Sequence, residues 1–215
     1  MRINEIFTET PTNDKIFENT ISSKQNAVVI YPGRFHPPHI GHVKVYRWLA
    51  SKFDNVFIAT SNKVDPPKSP FTFEEKKQMM THAGVPANAI VQVKNPYIAT
   101  EITDRFDPEN TAAIFAVSEK DMAEDPRFQF KPKKDGSPSY YQPYGGDMEP
   151  LSRHGYIITT PTFDFTVLGE PMRSATELRR NFASADQQTQ AKMIKDLYGK
   201  YDPAIHRIMA AKITQ

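Results

Sequence analysis

The chain has 215 residues, 39% hydrophobic and 24% charged, enough for one sizeable domain with a real core. Its 27 Lys and Arg against 25 Asp and Glu leave a net charge of +2, too balanced for a protein that coats nucleic acid. The absence of cysteine excludes disulfides, thiolate zinc sites and cysteine nucleophiles, and no apolar run approaches a membrane span, so a cytoplasmic location is the expectation.

Residues 1–26 are polar, lack the continuous apolar stretch of a secretory signal, and read as an N-terminal appendage ahead of the core. Residues 27–31 (AVVIY) form an apolar, β-branched run that stops at Pro32-Gly33, the pattern of a buried strand. Residues 40–53 have helical periodicity, with Val43, Trp48, Leu49 and Phe53 sharing much of one face. A second strand is predicted over 56–60, a helix over 73–83 with Thr72 as N-cap, and strands over 89–93, 112–117 and 156–160. Residues 97–106 are ambiguous. Helices follow over 174–183, 185–197 and 203–213. Strands alternating with helices imply an α/β fold, a Rossmann-like open parallel sheet with helices on both faces and a helical C-terminal part.

Residues 121–154 break that rhythm. Five prolines are interleaved with Phe128, Phe130, Tyr140, Tyr141 and Tyr144, which predicts an irregular insertion or a lid whose aromatics close over a bound molecule. The basic run at 131–134 (KPKK) reads as solvated loop, so no nucleic-acid partner is expected.

Gly33-Arg34-Phe35-His36-Pro37-Pro38-His39-Ile40-Gly41-His42 follows a buried strand directly and opens a helix. Ligands of open parallel sheets bind beyond the carboxyl ends of the strands, and a helix N-terminus offers free N–H groups to phosphate. Gly33 lets the backbone turn tightly. His39 and His42, three apart at a helix start, can point to one side, and Gly41 between them leaves room for a nucleotide. Paired imidazoles can donate to phosphoryl oxygens as charge builds. The competing readings are a metal site built from His36, His39 and His42, or ordinary capping histidines. The strand–loop–helix context favours nucleotide chemistry.

This stretch resembles the GxFxPxHxGH signature of the HxGH nucleotidylyltransferases, a group that includes nicotinamide mononucleotide, pantetheine-phosphate and glycerol-3-phosphate nucleotidylyltransferases. The superfamily has a second motif of the form ISSTxIR near its C-terminus. Arg173-Ser174-Ala175-Thr176-Glu177-Leu178-Arg179-Arg180 resembles it, matching at Ser174, Thr176, Leu178 and Arg179. Ser174 with Glu177 three residues later is also a capping box, compatible with a phosphate-holding helix start. The resemblance spans about residues 27–182. It divides the chain into the appendage 1–26, a nucleotidylyltransferase domain 27–183 containing the insertion or lid 121–154, and a C-terminal helical extension 184–215.

The resemblance implies transfer of a nucleoside monophosphate from an NTP to a small phosphorylated acceptor, with pyrophosphate leaving. His39 and His42 would contact the phosphates and transition state, and Arg179, Ser174 and Thr176 the β- and γ-phosphates. Lys44 resembles the lysine found at that point in cytidylyltransferases. Gly33, Arg34, Phe35, His36 and Gly41 complete the nucleotide site. Mg²⁺ would accompany the triphosphate, with no protein ligand named. The segment Lys68 to Lys76 (KSPFTFEEK) resembles the NPFTxxER segment of nicotinamide mononucleotide adenylyltransferases, with Ser69 for Asn and Lys76 for Arg. This favours ATP and a pyridine mononucleotide, giving NAD. Cytidylyl transfer to a sugar or alcohol phosphate is the alternative, and a non-catalytic nucleotide-binding or virion-associated protein on the same fold is a third class. A homo-oligomer is compatible with these readings. The opening MRINEIFTE is similar to leader peptides of large tailed bacteriophages, while a loosely docked tail is the plainer reading.

Overall fold

The computed structural model describes residues 26–125, 128–172 and 174–213. The appendage and its leader-like opening, apart from Asn26, lie outside the described residues, as does Arg173. Six strands form one sheet, all parallel, in the order β3-β2-β1-β4-β6-β5. They are β1 (Asn26–Pro32), β2 (Asn55–Thr60), β3 (Ile90–Gln92), β4 (Thr111–Ser118), β5 (Tyr141–Pro143) and β6 (Gly155–Thr160). The chain winds outward from β1 through α1 (Ile40–Ala50) and α2 (Phe73–His82) to β3. It then returns past the short α3 (Thr100–Thr103) to place β4 against the other side of β1. The winding direction reverses between β1 and β4, which opens a crevice at their carboxyl ends.

The period of two along each strand builds two cores. Val29, Tyr31, Ile58, Ile114 and Ile158 face one side of the sheet. There they meet Leu49 and Met79 of α1 and α2, together with helices α5 (Ala175–Ser184), α6 (Gln187–Tyr198) and α7 (Pro203–Ile213). Val28, Ile30, Phe115, Val117 and Ile157 face the other side and pack with Ile102 of α3 and Phe128. Met193, Leu197, Ile205 and Met209, from the expected C-terminal extension, are buried in the first core beside Leu178 and Phe182. The last two helices therefore complete the same core that the sheet begins.

Local sequence explains most element boundaries. Thr72 caps α2, its hydroxyl accepting from the Glu75 amide (3.3 Å) while its own amide donates to the Glu75 carboxylate (2.8 Å). α6 stops at Gly199, whose φ of 83° a side chain would resist.

The described part of segment 121–154 is mostly turns, bends and irregular chain, with two short regular pieces. Its start belongs to a helix, α4 (Glu119–Glu124), and it supplies the edge strand β5, which pairs with β6 from Tyr141↔Gly155 to Pro143↔Ile157. Pro143 is tolerated because the strand is at the sheet edge. Phe128, Phe130 and Tyr141 pack into the second core and Tyr144 against the first, so these aromatics support the sheet. From this segment, Asp121 and Asp125 reach the crevice. Among the described residues no helix is long and apolar enough to cross a membrane.

Candidate active site

Beyond the carboxyl ends of β1, β4 and β6 lies a cleft of about 1040 Å³. Its floor is the first motif: Gly33, Arg34, Phe35, His39, Gly41 and His42 line it. Ser174 and Leu178 enter from the second motif, and Ser118, capping α4, from the end of β4.

His39 is the N-cap of α1 and His42 its third residue, so both rings stand at the helix start. They stack at 3.6 Å between centroids. The Nδ1 of His42 accepts the His39 backbone N–H at 3.2 Å, which leaves the ring proton on Nε2. Burial holds His42 down to about 3. Burial and then the neighbouring His42 hold His39 well below the ordinary histidine range. At neutral pH both rings are uncharged, each with one N–H to donate.

Two glycines make this packing possible. A Cβ on Gly33 would stand 2.5 Å from the Phe35 ring, which lies across it and meets His42 edge-on at 4.9 Å. Phe35 itself adopts a φ of 54°, a strained conformation for an aromatic residue, and is buried as a support under the histidines. A Cβ on Gly41 would come within 3.0 Å of the His39 ring and 3.2 Å of Phe165.

The second motif docks on the first. Ser174 caps α5, accepting from the Glu177 amide at 3.1 Å. One turn on, Arg179 Nη1 donates to the His36 carbonyl at 2.6 Å and Nη2 to the Thr176 hydroxyl at 3.4 Å. Ser174, Thr176 and Arg179 thus form one cluster with the loop after β1.

Other sequence candidates are placed differently. His36 is buried with its ring stacked near Phe71, and its Nδ1 accepts the Phe71 amide at 3.3 Å. Its side chain pins the loop to the start of α2, and like those of Lys44, Thr176 and Arg179 it is not among the residues that line the cleft. Lys44 is exposed, and its ammonium donates to the Asp164 carbonyl at 3.2 Å. Trp48 packs beside the core with the Lys52 ammonium over its ring. Among the described residues no three His, Asp or Glu side chains converge as metal ligands.

Lys76 carries a role that its sequence position concealed. It is fully buried, and its ammonium donates to the Thr60 hydroxyl (2.7 Å), the Ser61 carbonyl (2.7 Å) and the Arg34 carbonyl (3.2 Å). It ties the end of β2 to the loop after β1, and burial lowers it to about 8. Phe165 was likewise silent in sequence. It stacks on His39 at 4.2 Å and closes that end of the cleft.

This arrangement is a cleft at the switch point of a doubly wound sheet, lined by the first motif and by the start of the second. The cytidylyltransferase-like family model matches residues 30–140, more than half of the chain, and the chain belongs to that family. Similar curated proteins include "Nicotinamide-nucleotide adenylyltransferase" of Sulfurisphaera tokodaii, 40% identical over 53 residues, 24% of this chain and 31% of that one. "Phosphopantetheine adenylyltransferase" of Zymomonas mobilis is 37% identical over 65 residues, 30% of this chain and 35% of that one. The matched stretch spans between 31% and 46% of the length of these and the other curated relatives. A bifunctional NMN adenylyltransferase/ADP ribose pyrophosphatase from Francisella tularensis shares the fold at a TM-score of 0.51 and 17% identity, over 89% of this chain and 50% of that one.

Proposed function

We propose that this chain is an adenylyltransferase that moves AMP from ATP onto a small phosphorylated acceptor, releasing pyrophosphate. The observation that carries this reading is the seating of Arg179 on the backbone of the first motif, beside the stacked His39 and His42. The acceptor phosphate is already an anion, so the reaction needs positioning and charge stabilisation, with no covalent intermediate. The neutral His39 and His42 rings donate N–H groups to the α-phosphoryl oxygens. Ser174, Thr176, Arg179 and the start of α5 hold the β- and γ-phosphates. A Mg²⁺ ion carried by the triphosphate and water would accompany the nucleotide. When bound it would neutralise charge on the triphosphate.

Nicotinamide mononucleotide is the acceptor we favour. The KSPFTFEEK segment and the relatives bearing that activity in their names support it. Relatives named for phosphopantetheine make 4′-phosphopantetheine the second acceptor to offer. The test is pyrophosphate release from each NTP with Mg²⁺ and a panel of both acceptors plus sugar and alcohol phosphates. ATP with nicotinamide mononucleotide should give the highest kcat/KM. Release with CTP and an alcohol phosphate alone would replace the adenylyl reading with the cytidylyl one.

A further inference from the structure

The loop between β6 and α5 holds a small antiparallel hairpin, β7 (Thr166–Val167) and β8 (Glu170–Pro171). Its two turn residues, Leu168 and Gly169, have φ of 57° and 83°, the pattern of a tight two-residue hairpin turn. The hairpin is bolted to the body at three points. Val167 is buried in the first core, the Leu168 amide donates to the Asp196 carboxylate of α6 at 2.8 Å, and Lys44 of α1 donates to the Asp164 carbonyl. The strand before the turn brings Phe165 flat against His39 at 4.2 Å and 21°. On its other face His39 stacks on His42, so three rings lie in a row. The Nδ1 of His39 is buried without a hydrogen-bond partner among the described residues. The rings on either side of it therefore bear directly on its orientation.

We propose that Phe165 is the positioning residue that sets the His39 imidazole for phosphoryl contact, and that Lys44 serves by holding the hairpin in place rather than by binding phosphate. This rests on the transfer reading above.

The test uses the full chain with Phe165→Leu, Phe165→Tyr and Lys44→Met, reading kcat, KM for ATP, Tm, and the His39 ring-proton shifts by NMR. Phe165→Leu keeps apolar bulk but removes the flat ring. It should lower kcat roughly threefold to tenfold, the worth of one aromatic contact, with KM for ATP within about twofold. The His39 protons should move downfield as the ring current is lost. Phe165→Tyr should restore both kcat and the shift. Lys44→Met should move the His39 shifts in the same direction as Phe165→Leu, with a smaller loss of kcat. Unchanged kcat or unchanged His39 shifts in Phe165→Leu would overturn the role of Phe165. A higher KM for ATP in Lys44→Met with His39 unmoved would return Lys44 to the phosphate. A wild-type chain silent with every NTP and acceptor would overturn the transfer reading itself, and with it the catalytic consequence of the stack; a wild-type chain that turns over beside an equally active Phe165→Leu overturns only the proposal about Phe165.

Discussion

The guanidinium of Arg179 donates to the backbone carbonyl of His36 across 2.6 Å, joining two motifs 143 residues apart in the chain. The bond holds the start of α5 against the loop that opens α1. Arg179→Ala should raise KM for the nucleotide roughly tenfold to a hundredfold, the range of a lost charge-assisted hydrogen bond. Steady-state kinetics with circular dichroism as the folding control checks this. An unchanged KM would remove Arg179 from the nucleotide site.

Gly41 sits tightly between His39 and Phe165. Gly41→Ala introduces a methyl 3.0 Å from the His39 ring and 3.2 Å from Phe165, and one of the rings must shift. Alanine favours the helix, so the fold should survive or gain slightly in Tm while turnover falls. A variant with both Tm and kcat at wild-type values would show that the ring positions do not matter to the chemistry.

The histidines make the protein acid-sensitive. His36 and His42 titrate at about 3 when folded, His36 through burial and then the charges of Lys76, Arg179 and Arg34, and both return to about 6.5 when unfolded. Below 6.5 the unfolded chain binds protons that the folded chain refuses, so stability is whole above that pH and is lost as it falls toward 3. His36→Gln removes one such group outside the cleft lining. Denaturant melts across this range should show its stability falling less steeply than wild type, by up to about 1.4 kcal/mol per pH unit. Parallel curves would contradict the buried, neutral His36.

Lys76 acts at the other end of the scale. Folding lowers it from about 10.5 to about 8, so between those values the unfolded chain holds a proton the folded one has shed. The burial penalty is complete below about 8 and is relieved as pH rises toward 10.5. Lys76→Met abolishes that rise, and it leaves the Ser61 and Arg34 carbonyls without this donor, at a cost of about 1–3 kcal/mol for each unpaired group. The variant should be less stable and slower, and the wild-type advantage should widen in melts between pH 8 and 10.5. A gap that narrowed over that interval would contradict the assignment.

The sheet was legible because its strands are buried on both faces, which writes β1, β4 and β6 as continuous apolar runs. The placement of His39 and His42 together was legible because the HxGH stretch sits at a strand-to-helix junction, where residues three apart share a side. The direction of the His36 ring was not legible, since sequence does not show that it turns toward Phe71. The burial of Lys76 was not legible, because its partners are backbone carbonyls and one hydroxyl, which leave no charge pattern in the sequence. β5 was hidden because three residues beside prolines carry too little periodicity to read. Phe165 was hidden because the hairpin that presents it has two-residue strands.

The central claim rests on His42. Its Nδ1 is occupied by the His39 amide, so its one free N–H is on Nε2, available to charge that grows in the transition state. The decisive measurement is pyrophosphate release by His42→Ala against wild type at saturating ATP and acceptor. Loss of a donor of this kind should cost roughly 3–4 kcal/mol, a fall of hundreds-fold in kcat, with KM for ATP little changed. Near-wild-type turnover in a folded His42→Ala variant would contradict nucleotidylyl transfer at this cleft.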